Sequence, residues 1–470
     1  MSQTAQKLPN LTRAELTTLL LIVSLSAFAT PLVISGVSVA LLYISEDFNT
    51  LASHIGWVLT SFLMASAVFL FPFGKLSDRI GKQSIFMAGL SFQLIGFVIA
   101  GLSTSFPMLL VGMALGGLGS AQVLAVGIPL LTTNFPHQER GKVIGINTAA
   151  TYTALALGPF VGGVLIDTYG WHSIFWALIP IVALALCLAI RVIPKLPKIV
   201  PNTDKPFDGL GAVIYIIAAS LVLVGISRIM EGSDAVIMLI IGIAIAVIFF
   251  WWELKQPEPV FPIHVFIENK LFRNSSLAAL INYGASYAVA MLLSFYLLGV
   301  RGFTGTEAGT VLIAQSVVMA VLTPFTGRLS DRIDPKILAT VGMIMTALAL
   351  FAFSTLTSTT PLWVVIGILI FLGAGIAFFS SPNMNSIMSS VPDTQAGIAS
   401  ATAGTMRVFG QVVSVAAATI AFAVMLGSVV ISPEIADSLL EAISTIFIAL
   451  GLLCTIGIWF SYSRGKSGNS

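Results

Sequence analysis

The stretch Gly74-Lys75-Leu76-Ser77-Asp78-Arg79-Ile80-Gly81-Lys82 returns, little changed, as Gly327-Arg328-Leu329-Ser330-Asp331-Arg332-Ile333-Asp334-Pro335-Lys336. Each copy reads as a charged turn set between long apolar runs. One such turn used twice implies two related bundles of membrane helices in one polypeptide. A second pair of features keeps similar distances from the two turns: Gly116-Gly117-Leu118-Gly119 follows the first, and Gly373-Ala374-Gly375 follows the second.

Of the 470 residues, 57% are hydrophobic and 9% charged, and the mean hydropathy is +1.00. A water-soluble domain of this size needs far more charge to cover its surface. The apolar runs repeatedly reach the roughly 20 residues that cross a hydrocarbon core about 30 Å thick. The net charge of +2 says little about partners; its placement says more. Cys187 and Cys454 fall in apolar runs and read as small hydrophobes, so neither a disulfide framework nor a metal site is expected. The first apolar run, from Leu16 to Ile44, is too long for the core of a cleaved signal peptide and reads as a spanning helix.

Runs bounded by turns and charges give fourteen spans, near 15–44, 54–73, 84–103, 107–132, 142–166, 172–193, 209–228, 235–252, 273–299, 308–327, 337–357, 361–387, 397–428 and 438–462. With the N-terminus in the cytoplasm, every lysine and arginine except Arg228, Arg301 and Arg407 falls in a cytoplasmic segment. The positive-inside rule is then obeyed along the whole chain, and one helix more or fewer would invert every later loop. The expected fold class is an all-α polytopic membrane protein with 14 transmembrane helices and both termini cytoplasmic. Residues 1–193 form an N-terminal six-helix bundle. Residues 194–272 are a linker with transmembrane helices 7 and 8, and residues 273–470 form a C-terminal six-helix bundle.

On its motifs the chain resembles the major facilitator superfamily, and more closely the fourteen-helix drug-efflux branch (drug:proton antiporter type 2). The turn between helices 2 and 3 is similar to the family signature at Gly74, Leu76, Asp78, Arg79, Gly81 and Lys82. Helix 5 is similar to the exporter motif at Gly145, Gly158, Pro159, Gly162 and Gly163, with Ala154 in place of one glycine. Glu139-Arg140-Gly141-Lys142, Gly170-Trp171, Phe207-Asp208 and Arg407 with Gly410 extend the likeness. Met113 stands where the family usually has a helix 4 arginine, and Val33 where this branch often has a helix 1 aspartate. The roles those two residues carry in the family are therefore not transferred.

The resemblance implies a fold of two six-helix bundles and transport by alternating access around a central cavity. It also implies a conformational latch at Gly74, Asp78, Arg79, Gly81 and Lys82, matched by Gly327, Asp331 and Arg332 facing Arg140. Physically, a carboxylate such as Asp78 suits the exposed N–H groups at the start of helix 13. In helix 5, Asn147, Thr151, Ala154, Gly158 and Gly162 share one small-residue face that permits close helix approach. Pro159 removes a backbone hydrogen bond there. That face reads as a tight interface between the bundles, or as ordinary small-residue packing.

Arg407 is the one ionisable residue expected deep in a span, roughly 16 Å from the start of helix 13 at about 1.5 Å per residue. Such a charge costs at least about 2.5–3.5 kcal/mol unless a partner or water meets it. It reads either as a cargo or coupling contact, or as a structural arginine bonded to carbonyls, Asn147 or Tyr152. Gln411 shares its face. Gln122, Asn147, Tyr152, Asn282, Tyr283, Tyr287, Gln315, Asn383 and Asn385 complete the candidate cavity lining. No Asp, Glu or His is expected deep in a span, so cargo that is amphiphilic, neutral or anionic is favoured. No phosphate-binding loop, catalytic triad or metal-ligand spacing is present in the sequence, so no enzymatic activity and no cofactor are expected.

The leading expectation is a monomeric secondary exporter of small amphiphilic or drug-like molecules in a bacterial plasma membrane. Its partners are a small-molecule substrate and the lipid bilayer, not nucleic acid, with protons as coupling ion by analogy. A mover of lipids or lipid-like amphiphiles is the alternative within transport. A membrane sensor or scaffold that has lost transport is the alternative outside it.

Overall fold

The computed structural model describes residues 12–196, 208–229, 232–256, 259–261, 263–330, 332–392, 396–427, 429 and 435–465. Among them are fourteen helices long and apolar enough to cross a membrane. They are α1 Arg13–Asp47, α2 Trp57–Ile80, α3 Lys82–Gly101, α4 Phe106–Asn134, α5 Arg140–Tyr169, α6 Ser173–Val192 and α7 Gly209–Ser227. The others are α8 Ser233–Glu253, α9 Lys270–Val300, α10 Gly305–Leu329, α11 Pro335–Phe353, α12 Leu362–Ser389, α13 Ala396–Met425 and α14 Ala436–Tyr462. The family fold expected from the repeated turn is the fold observed.

Local chemistry sets the ends. Thr12 and Glu15 form a capping box that opens α1, and Thr304 and Glu307 form another that opens α10. Asp208 caps α7, Asn269 caps α9, and Asp334 precedes Pro335 at the first position of α11. The charged stretch at 74–80 is not a turn. It is the last two turns of α2, and the break falls at Gly81 alone, whose φ of 96° suits a residue without Cβ.

The duplication is visible in the packing. A Cβ on Gly117 of α4 would strike the Phe62 carbonyl of α2. A Cβ on Gly373 of α12 would likewise strike the Gln315 carbonyl of α10. The two bundles therefore use one device at equivalent places, a glycine that lets a helix seat on a neighbour's backbone. Within the first bundle, Gln93 of α3 donates to Thr30 of α1 (2.9 Å), which pairs with Ser120 of α4 (3.0 Å). This satisfies polar groups that would otherwise be costly at membrane depth.

Three features depart from the sequence reading. Helix α9 is interrupted near mid-membrane at Tyr287–Ala288 and ends in a π-helical turn at Tyr296–Val300. The freed Ala288 N–H donates to the Ser414 hydroxyl of α13 at 2.9 Å. Arg464, in the cytoplasmic segment that follows α14, is 1% exposed. Its guanidinium donates to the Ser461 carbonyl (2.8 Å), the Asn383 side-chain oxygen (2.9 Å), the Ser275 hydroxyl (3.3 Å) and the Ser461 hydroxyl. It thereby ties α9, α12 and α14 together. Burial pulls it down to about 10, which leaves it cationic at neutral pH. Finally, Glu253, expected in an open connector, closes α8 with no exposure at all, because Val260 and Phe261 fold back over it.

Candidate functional site

The bundles meet along two seams, α5 against α10 and α2 against α13. On the first, Gly163 of α5 abuts the Gly305 carbonyl and Gly309 of α10 abuts the Pro159 carbonyl. Backbone thus meets backbone across the boundary. Gly158 and Gly162 do something else: they seat on Ser35 and Gly36 of α1, inside the first bundle. Gly145, nearer the cytoplasm, has open space around it. The exporter-motif face therefore divides its work, part within the bundle and part between bundles.

At the outer end of this seam lies a contact the sequence reading passed over. Asp167 of α5 accepts from the Gly305 N–H (2.9 Å), the Thr306 N–H (2.7 Å) and the Thr306 hydroxyl (2.6 Å). Tyr43 of α1 adds a fourth bond at 3.3 Å. A carboxylate on the first N–H groups of a helix is doubly favoured, by hydrogen bonding and by the helix dipole. Asp167 is one turn beyond Gly163, and that spacing places it on the face that meets α10. The second seam is tied at the same end, where the Ala52 N–H donates to the Val429 carbonyl at 3.0 Å.

The opposite end differs. Asp78 is two-thirds exposed, and its near charge partner is Lys82, 4.0 Å away and four residues on. Arg79 and Arg332 are exposed, and Arg140 donates to the Phe135 carbonyl at 3.4 Å. Asp331 lies outside the described residues. The partners of Asp78 and Arg140 among the described residues lie within the first bundle. Among the described residues, the hydrogen bonds that join the bundles at Asp167 and Ala52 therefore lie at the outer end.

Between the ends, α13 passes from one bundle to the other. Gly404 faces Leu70 of α2, and Gly410 seats on Leu280 and Gly284 of α9. Arg407 lies between them, partly buried, with no carboxylate ion pair among the described residues. Tyr283 of α9 is within electrostatic reach of both Arg407 and Tyr152 of α5. One residue from the first bundle and two from the second therefore converge at the seam. Tyr287 follows Tyr283 by one turn, and Gln411 follows Arg407 by one turn; Gln411 and Gln315 are partly buried. The Tyr287 hydroxyl, both side-chain amide atoms of Asn282 and the Asn147 side-chain oxygen are buried without a protein partner.

Three candidates are placed elsewhere. Asn383 is held by Arg464 and by the Ser275 carbonyl (3.1 Å), and the Asn385 amide donates to the Ser330 hydroxyl. Both brace cytoplasmic helix ends. Gln122 packs its Cβ against Gly89 of α3, inside the first bundle. Polarity alone could not separate these from seam residues, because an asparagine that braces a helix end and one that lines a cavity carry the same side chain.

The sequence profile described as Major Facilitator Superfamily matches residues 23–415. The chain belongs to this superfamily and is a multi-pass membrane transporter. Among similar proteins, the riboflavin transporter RibZ of Clostridioides difficile is 28% identical over 388 residues, covering 83% of this chain and 84% of RibZ. The multidrug resistance protein Stp of Mycobacterium tuberculosis is 29% identical over 408 residues, covering 84% of this chain and 72% of Stp. A bacterial homologue of the human lysosomal transporter Spinster, solved in an inward-facing and unoccupied conformation, superposes with a TM-score of 0.68 at 16% identity. That match covers 96% of this chain and 97% of the homologue, and it bears on the fold alone.

Proposed function

We propose that this transporter exports small amphiphilic molecules, neutral or anionic, from the cytoplasm across a bacterial plasma membrane. It works as a monomer by alternating access, driven by an ion gradient. The observation that carries the reading is Arg407 at the seam, a cation beside Tyr283 and Tyr152 without a carboxylate of its own. A partly buried cation at membrane depth calls for a partner, and an anionic or strongly polar cargo supplies one. The tyrosine rings offer flat apolar area with a polar tip, which suits an aromatic amphiphile. The buried polar atoms of Asn147, Asn282 and Tyr287 provide further hydrogen-bonding demand that cargo or water would meet. The names of RibZ and Stp, a riboflavin transporter and a multidrug resistance protein, support cargo of this kind.

The test is uptake into inverted membrane vesicles holding the full chain, using radiolabelled riboflavin and a panel of aromatic anions, with and without an imposed pH gradient. Gradient-dependent accumulation of at least one compound, lost in Arg407→Ala, is expected. Accumulation of cationic compounds alone would overturn the cargo assignment.

A further inference from the structure

We infer that Glu253 is a proton-binding group, which holds one cytoplasmic proton and donates it to Asp208 where the linker hairpin meets the charged end of α2. The reasoning is hydrogen-bond accounting. Glu253 is fully buried. Its Oε2 accepts from the Phe261 N–H at 3.0 Å and the Val260 N–H also approaches the carboxylate, while Oε1 is buried with no donor in hydrogen-bond geometry among the described residues. Both Asp208 oxygens accept: Oδ1 from the Gly211 N–H at 2.7 Å, and Oδ2 from the Trp252 indole N–H at 2.8 Å. The unpartnered oxygen of Glu253 and Oδ2 of Asp208 both approach Gly211. A Cβ built on Gly211 would lie 2.8 Å from the first and closer still to the second.

Two carboxylates this close, one of them shielded from water, do not both stay ionised. A proton on Oε1 resolves the problem. It removes the buried charge, gives the orphan oxygen a hydrogen to donate, and leaves Asp208 as the helix cap it already is. The bond is formed by a proton taken from the cytoplasm and returned there; no other atom changes hands.

The surroundings connect this site to the transport machinery. Lys75, within the first charged stretch, reaches Glu253 electrostatically from α2. Lys255 is turned away over the Trp251 ring, 3.3 Å from its centroid. Tyr215 of α7 points its hydroxyl at the Ala67 carbonyl (3.2 Å), Val260 and Phe261 carry no charge, and the only ionisable residue of α13 is Arg407, deeper in the membrane. Among the described residues, Lys75 is the cation that reaches the pair from the first bundle. Helix α7 packs against both α2 and α13, so the site lies at a joint touched by both bundles. Movement of Lys75 relative to Glu253 changes proton affinity, and by linkage the proton changes the balance of conformations.

The inference stands apart from the cargo reading, and its test needs no cargo. Infrared spectroscopy on the purified full chain in lipid nanodiscs reads protonated carboxyl groups directly. At neutral pH the wild type is expected to show a protonated-carboxyl C=O band that is lost in Glu253→Gln and shifted in Asp208→Asn. A band absent from the wild type, or unchanged in Glu253→Gln, overturns the inference. A second readout is the distance between spin labels at Ser84 and Ser389. Acidification should favour the conformation in which Lys75 is farther from Glu253, by up to about tenfold per pH unit, the limit for one proton. Glu253→Gln, which keeps an N–H donor toward Asp208, should remove that dependence; an unchanged pH response would overturn the link to conformation.

Discussion

The Asp167 carboxylate receives both the backbone N–H and the hydroxyl of Thr306, at 2.7 and 2.6 Å, and so joins the end of α5 to the start of α10. The two residues belong to different bundles. Their bond is a tie that must break whenever the outer side opens.

Replacing Asp167 by Asn should therefore favour the outward-open state. The amide keeps one acceptor oxygen but loses the charge and the second acceptor. A loss of about 1–2 kcal/mol corresponds to a shift of about 5–30-fold in the ratio of states. Labelling of a cysteine placed at Gln315 by an impermeant maleimide, added from outside, should speed up accordingly. An unchanged labelling rate would remove Asp167 from the outer seal.

The glycines of α5 make a paired prediction. A side chain at Gly163 meets the Gly305 carbonyl across the seam, whereas one at Gly145 meets nothing. Overpacking of this kind costs about 1–3 kcal/mol. Gly163→Leu should abolish transport while membrane insertion persists, and Gly145→Ala should transport like the wild type. Equal activity in the two variants would mean that the α5–α10 seam need not close.

Arg407→Ala should lower transport of anionic cargo by about tenfold or more, since hydrogen bonds to charged groups contribute about 1.5–3 kcal/mol each. Arg407→Lys should restore part of it, because a lysine keeps the charge but not the planar fork. Initial rates in inverted vesicles measure both. Identical kinetics for every compound tested would leave Arg407 a packing role only.

Asp78 is exposed, so Asp78→Asn should leave stability unchanged within about 0.5 kcal/mol, the usual range for surface positions. Its effect should appear in turnover, through poorer closure of the cytoplasmic side. Thermal unfolding and transport measured on the same preparation separate the two. A variant with full transport would argue against the latch.

Arg464→Ala should lower thermal stability without changing cargo range. It leaves the Asn383 oxygen buried without its donor, at about 1–3 kcal/mol. A melting temperature equal to that of the wild type would show that the network adds nothing to the second bundle.

The sequence made the fold legible because two independent signals agreed. Apolar length marked each span, and the sorting of Lys75, Arg140, Arg328 and their like to one side fixed the count. Observed helix bounds differ from expectation mainly where a polar helix end projects beyond the bilayer, as at 74–80. The seam was partly legible: Arg407 stood out because a charge in a span is rare. Asp167 was hidden because it looks like any carboxylate at a helix end, and only its spacing from Gly163 hints at the partner helix. The burial of Glu253 and Arg464 was not legible because it comes from chain folding back, which has no local pattern. Asn383 and Asn385 were grouped with cavity residues because polarity in a span does not say which neighbour it serves.

The interruption of α9 has a mechanical consequence. Where the helix lets go of its own ladder, a single hydroxyl on α13, that of Ser414, holds the loose amide of Ala288. Ser414 lies two helical turns from Arg407 on the same side of that helix. The bond that closes the break beside Tyr287 and the arginine of the seam therefore share one face of α13, so a single helix surface serves both.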